Sequence, residues 1–132
     1  MATTFFVPGE PVPQPRPRVS TRGGFARAYV PKKHPVHAYR EAVAVAARTA
    51  GVTNTGKPIC VHVTAEFARP KSHMNKRGVK DDAPILPRPD VDNLGKACLD
   101  GLQDVIGDDT LVRTLIVSKS YADESRTIVS IT

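Results

Sequence analysis

Residues 88–112 read RPDVDNLGKACLDGLQDVIGDDTLV, and this stretch decides both the fold and the chemistry. Leu94, Cys98, Leu102, Val105 and Ile106 recur at helical spacing, which predicts a helix with one buried stripe, running to about Ile106. Asp92 or Asn93 suits its N-cap and Gly107 its stop. The stretch also holds Asp90, Asp92, Asp100, Asp104, Asp108 and Asp109, six of the chain's thirteen acidic residues, although the formal net charge is +6. A basic protein that gathers nearly half its negative charge in one segment has a use for it.

Working outward, TLVRTLIVSKSYA and RTIVSIT read as two strands joined by the turn DES, closing a sheet as a hairpin. Upstream, ICVHVTAEFARP alternates through Ile59, Val61, Val63, Ala65 and Phe67, a half-buried strand ended by Pro70; the alternation turns His62 away from the buried face. PVHAYREAVAVAARTAG places Val36, Tyr39, Val43, Ala46, Ala47 and Ala50 at helical spacing, with Pro35 in the first turn and Gly51 at the stop. TTFFV, stopped by Pro8-Gly9, is a first strand. Between it and the first helix lies a segment with six of the twelve prolines. That segment predicts an extended loop with a short hairpin around Gly23-Gly24, and a loop of this length is either functional or merely solvated. The order is β-α-β-α-β-β: an α/β (α+β) single domain over residues 1–132, a mixed sheet with two helices and no internal repeat.

The 132 residues are enough for one core without disulfides or structural metal. Hydrophobic residues at 40% with 24% charged are ordinary globular composition. No apolar run reaches the ~20 residues of a membrane span, and the N-terminus lacks the pattern of a signal peptide. The expected location is cytoplasmic. Cys60 and Cys98 read as small buried hydrophobes, kept reduced.

The positive charge is clustered as well. From Pro11 to Arg40 the chain carries Arg16, Arg18, Arg22, Arg27, Lys32, Lys33 and Arg40 and no acid; RPKSHMNKRGVK adds Arg69, Lys71, Lys76, Arg77 and Lys80. Two basic segments precede the acidic one, a distribution suited to a polyanion such as DNA. Asp90 and Asp92, if extended, point the same way and can converge on one cation. Asp109 joins them only if the fold returns it from the far end of the helix. Carboxylates held together raise a pKa or recruit a cation, and hard oxygen ligands beside a phosphate suit Mg²⁺ or Mn²⁺. Lys96, four residues after Asp92, can meet a phosphate oxygen, and Asp100, four further on, can position Lys96. Ordinary helix-dipole preference, turn chemistry and surface pairing account for the same residues without a metal. A zinc site at His34 and His37 lacks partners at ligand spacing.

RPDVDNLGKACLDGLQDVIGDD resembles the signature of the RusA family of Holliday-junction resolvases: Asp-x-Asp-Asn-Leu-x-Lys, a helix carrying an Asp, then a turn with Asp-Asp before a strand. The Pro/Arg-rich loop, the helix YREAVAVAA and the alternating strand extend the resemblance over nearly the whole chain. It implies a RusA-like fold and a homodimeric, Mg²⁺-dependent endodeoxyribonuclease, with Mn²⁺ as substitute, that nicks four-way DNA junctions in recombination and repair in a bacterial cell, encoded by the bacterium or a phage. By the resemblance, Asp90, Asp92 and Asp109 match the metal ligands, Lys96 the catalytic lysine and Asn93 the signature asparagine, with Asp100 in support. Arg16, Arg18, Arg22, Arg27, Lys32, Lys33, Arg69, Lys71, Lys76 and Arg77 are the expected DNA contacts. The rival from another class is a non-catalytic module that binds branched DNA. Aspartyl-phosphate phosphatases also use Asp-x-Asp, but after a buried apolar strand; here LPRP precedes it.

Overall fold

A computed structural model describes residues 2–132. In chain order the elements are β1 (Thr3–Pro8), β2 (Arg18–Ser20), β3 (Arg27–Tyr29), α1 (Val36–Thr49), β4 (Ile59–Ala68), β5 (Met74–Asn75), β6 (Gly78–Val79), α2 (Val91–Ile106), β7 (Val112–Ala122) and β8 (Arg126–Ile131). Four strands form the main sheet in the order β1-β8-β4-β7, while β2–β3 and β5–β6 are separate two-stranded hairpins. β4 is parallel to β7 and antiparallel to β8, and β8 is antiparallel to β1. The mixed sheet with two helices is the α+β class that the periodicities predict. The β2–β3 hairpin brackets Gly23-Gly24, as expected.

The expected β7–β8 hairpin is corrected. These strands are consecutive in sequence, yet β4 lies between them. Asp123–Ser125 therefore connects strands two positions apart, roughly 10 Å, a span within reach of three extended residues. The end of β4 closes this crossing: Ala68 N donates to Ser125 Oγ at 2.8 Å and Arg69 N to the Ala122 carbonyl at 3.2 Å. Central β4 is fully paired, leaving β1 and β7 as the sheet edges.

Both helices pack on one face of the sheet. The alternating residues Phe5 and Val7, Val61 and Val63, and Val129 and Ile131 meet Val36, Val43 and Ala47 of α1 and Ala97, Cys98 and Leu102 of α2 in one core. Burying each such aliphatic side chain is worth about 1.5–3 kcal/mol. One polar pair is enclosed there: Tyr39 Oη and Thr127 Oγ1 are hydrogen-bonded at 2.6 Å, and burial drives the phenol pKa upward. Two glycines set the spacing of α2. A Cβ on Gly101 would lie 2.7 Å from the Arg40 carbonyl oxygen of α1, and one on Gly95 2.6 Å from Val117 Cγ2 of β7. Helix α1 starts after Pro35, with Val36 N donating to His34 Nδ1 at 3.0 Å, so this histidine has a local structural partner.

Helix α2 begins earlier than expected. Its N-cap is Asp90, not Asp92 or Asn93, and Asp92 falls in the first turn. The Pro89 carbonyl is engaged by Lys119 Nζ at 2.8 Å, and the helical ladder opens with Leu94 N donating to the Asp90 carbonyl at 3.1 Å. The picture of Asp90 and Asp92 alternating along an extended strand is therefore replaced by two neighbours at a helix rim.

Candidate functional site at the N-terminus of α2

Asp90, extended at φ −71°, ψ 139°, makes no side-chain capping bond. Asp92 is exposed, as is Lys96 one turn later on the same helix. Among the described residues the ion pairs are Arg40–Asp100 and Arg126–Glu66, so Asp90, Asp92 and Lys96 face solvent with uncommitted charges. Two free carboxylates at one rim are hard oxygen donors of the kind Mg²⁺ takes, one or two at a time, beside its waters and a substrate phosphate. The unpaired N–H groups of the first turn and Lys96 can in turn hold that phosphate.

Lys119 was not singled out by sequence reasoning. It sits on the helix-facing side of β7, aligned with Leu115, Val117 and Tyr121, where the alternation calls for an apolar residue. Its ammonium fixes the carbonyl immediately before Asp90. A charged residue in register with Leu115, Val117 and Tyr121 on the inward face of the strand was the signal available in the sequence.

The Pro-rich segment docks at the same end. Gln14 N donates to the Asn93 carbonyl at 2.9 Å, and Arg40 Nη2 reaches both Gln14 Oε1 and Asp100 Oδ2, the latter at 3.2 Å. Asp100 is thus held by Arg40 across the two helices, and the structure does not pair it with Lys96. Asn93 contributes its carbonyl, not its side chain, to this junction. From Gln14 the chain passes into the β2–β3 hairpin, which leaves Arg16, Arg18, Arg22, Arg27, Lys32 and Lys33 exposed.

The second basic segment differs from residue to residue. Lys71, Lys76 and Arg77 are exposed on and beside the β5–β6 hairpin. Arg69 is committed inward: its guanidinium lies 4.3 Å over the Tyr121 ring and Nη1 donates to the Pro84 carbonyl at 3.1 Å. His73 packs edge-on against the same ring at 5.5 Å. Arg69 therefore braces the loop that leads to Asp90.

Asp109 stands apart. The sixteen residues of α2, about 24 Å of helix, lie between it and Asp90, and all but the first turn of that helix lies between it and Asp92. It lies in a 3₁₀ turn capped by Asp108, whose Oδ1 accepts from Thr110 N at 3.0 Å, a bond that lowers the Asp108 pKa. Asp108 is the turn-former of the pair and Asp109 is exposed beside it. One chain does not bring Asp109 to the other two acids: no group of three or more His, Cys, Asp or Glu side chains poised for a metal occurs among the described residues. The same holds for His34 and His37.

Comparison with known proteins agrees with the signature in α2. The family model described as endodeoxyribonuclease RusA matches residues 8–132. The chain is also similar to the uncharacterized protein YqaN of Bacillus subtilis (strain 168), 36% identical over 133 residues that cover 96% of this chain and 93% of that protein.

Proposed function

Because the chain belongs to the RusA endodeoxyribonuclease family, we propose that it is a divalent-metal-dependent, structure-selective nuclease that resolves four-way DNA junctions by paired nicks in recombination and repair. The observation that carries this reading is the pair of uncommitted carboxylates, Asp90 and Asp92, beside the uncommitted Lys96 at the start of α2.

Asp90 and Asp92 would hold the cation, Mg²⁺ or Mn²⁺, which when bound supplies Lewis acidity and a water of lowered pKa. Lys96 neutralises charge developing on the scissile phosphate. Lys119 orients Asp90 through the Pro89 carbonyl. In-line attack by water then leaves a 5′-phosphate and a 3′-hydroxyl. The exposed arginines and lysines of the β2–β3 and β5–β6 hairpins neutralise phosphates on either side and release counterions.

The distance between Asp109 and the other acids supports a homodimer as the working unit. β7 is an edge strand that exposes Leu115 and Ile116. α2 runs back along β7, with Gly95 against Val117 and Lys119 under Pro89. Antiparallel pairing of two β7 edges about a twofold axis near their middle carries the start of one strand to the end of the other. The partner subunit's Asp109 then approaches Asp90 and Asp92, giving two identical sites for two symmetric nicks.

The direct test is nicking of a synthetic four-way junction in magnesium or EDTA, native chain against Asp92→Asn. Paired nicks that require magnesium and vanish in the variant, with junction binding retained, are the expected result. Tight binding without nicks in Mg²⁺ or Mn²⁺ would make the chain a non-catalytic DNA-binding module.

A further inference from the structure

Most large apolar side chains left in solvent lie on the open face or edge of the sheet or on the hairpins. Ile85 and Leu86 do not. Ile85 is 86% exposed, the highest value for any large hydrophobic residue described, and Leu86 is 52% exposed. They project from the loop between the β5–β6 hairpin and α2, and that loop is pinned around them. Arg69, stacked on Tyr121, holds the Pro84 carbonyl on one side; Pro87 is buried on the other; Lys119 holds the Pro89 carbonyl just beyond. A fold that ties down the residues flanking an aliphatic pair, yet leaves the pair in water, forgoes the stabilisation its burial would bring.

The position suggests what covers it. Leu86 precedes Asp90 by four residues, at most about 14 Å of chain, so the pair stands beside the acidic rim. Lys71, Lys76, Arg77 and Lys80 come before it and Arg88 directly after, with Asp81 and Asp82 the intervening acids. The pair thus sits between a basic hairpin and the acidic rim, five basic side chains against four acidic ones over residues 71–92, on the path that a polyanion held by the lysines and arginines would take to Asp90 and Asp92. Aliphatic side chains do not offer a stacking platform; they enter between base steps, unstack them and kink the duplex.

We propose that Ile85 and Leu86 form an apolar wedge that enters the base stack at the branch point of the DNA while the neighbouring strand lies across Asp90 and Asp92. This rests on the nuclease reading above and adds a specificity device to it. A branch point is where base pairs are easiest to open, so a wedge beside the metal rim makes cleavage depend on DNA shape.

The test uses full-length chain and a four-way junction carrying 2-aminopurine next to the branch point, with calcium replacing magnesium for binding. The native protein should raise the fluorescence on binding. Ile85→Ser/Leu86→Ser should bind without the rise and, in magnesium, nick the junction about tenfold more slowly, whereas Ile85→Phe/Leu86→Phe should keep both signals. Sedimentation should show the same oligomeric state for all three. The wedge is overturned if the native chain nicks the junction without a fluorescence change, or if the serine variant matches the native rate. A serine variant that sediments as a smaller species overturns it too, since the pair would then be a subunit contact. A native chain that neither binds nor nicks the junction removes the nuclease reading and the wedge together.

Discussion

Asp92 and Asp100 lie on one helix eight residues apart, and the fold treats them in opposite ways. Asp100 is half-buried, and Arg40 meets its carboxylate while also reaching Gln14. Asp92 is exposed, next to Asp90, and among the described residues no cationic side chain closes on either. The middle of α2 spends its charge on joining two helices and the Pro-rich segment; the first turn keeps its charge available. A carboxylate that must leave water needs a partner for stability, whereas a pair at a helix rim gains only the modest dipole interaction of the first turn and stays available for binding. The start and the middle of α2 thus put their negative charge to different uses.

The contrast can be broken by substitution. Asp92→Asn should have the largest effect on function, lowering junction nicking by about 1,000-fold or more, with a thermal unfolding midpoint equal to or slightly above the native one. Asp100→Asn should do the reverse: nicking of the folded protein stays within about twofold, and urea unfolding shows a loss of about 1–2 kcal/mol from the weakened charged hydrogen bond. If Asp100→Asn abolished nicking without changing stability, the division between the two aspartates would fail. A smaller difference separates two glycines of the same helix. Gly101→Ala should cost about 1–3 kcal/mol, because the added methyl meets a backbone carbonyl. Gly95→Ala should cost less in the same unfolding measurement, since the obstacle at Gly95 is a valine side chain that can shift.

Much of this fold was legible in local pattern. The stripe Leu94, Cys98, Leu102, Val105 and Ile106 is buried throughout, Gly107 ends the helix at φ 87°, and the alternation of β4 from Val61 to Phe67 turns the expected residues inward. Periodicity reports which side chains share a face, so it succeeds wherever one face is buried. It carries no information about which strand pairs with which, and so β7 and β8 read as a hairpin although β4 separates them. The start of α2 was displaced because Asp90, Asp92 and Asn93 are all residue types that cap a helix, so composition does not decide among them; in the fold the ladder opens with Leu94 N on the Asp90 carbonyl. The site was half legible. Asp90, Asp92 and Lys96 are close in sequence and stay close in the fold, and the separation of Asp109 follows from the length of α2, while the partner of Asp100 depends on a contact between distant segments.

The central claim is that Asp109 serves the acid pair of a second subunit. Chains carrying Asp92→Asn and chains carrying Asp109→Asn, each inactive alone, should be mixed, allowed to exchange subunits and assayed for nicking of the four-way junction in magnesium. A shared site predicts that the mixed dimer regains one intact site, with Asp90 and Asp92 from one chain and Asp109 from the other, so single nicks return. If the mixture stays as inactive as either variant while subunit exchange is confirmed, the acids do not act across the interface and the account is contradicted.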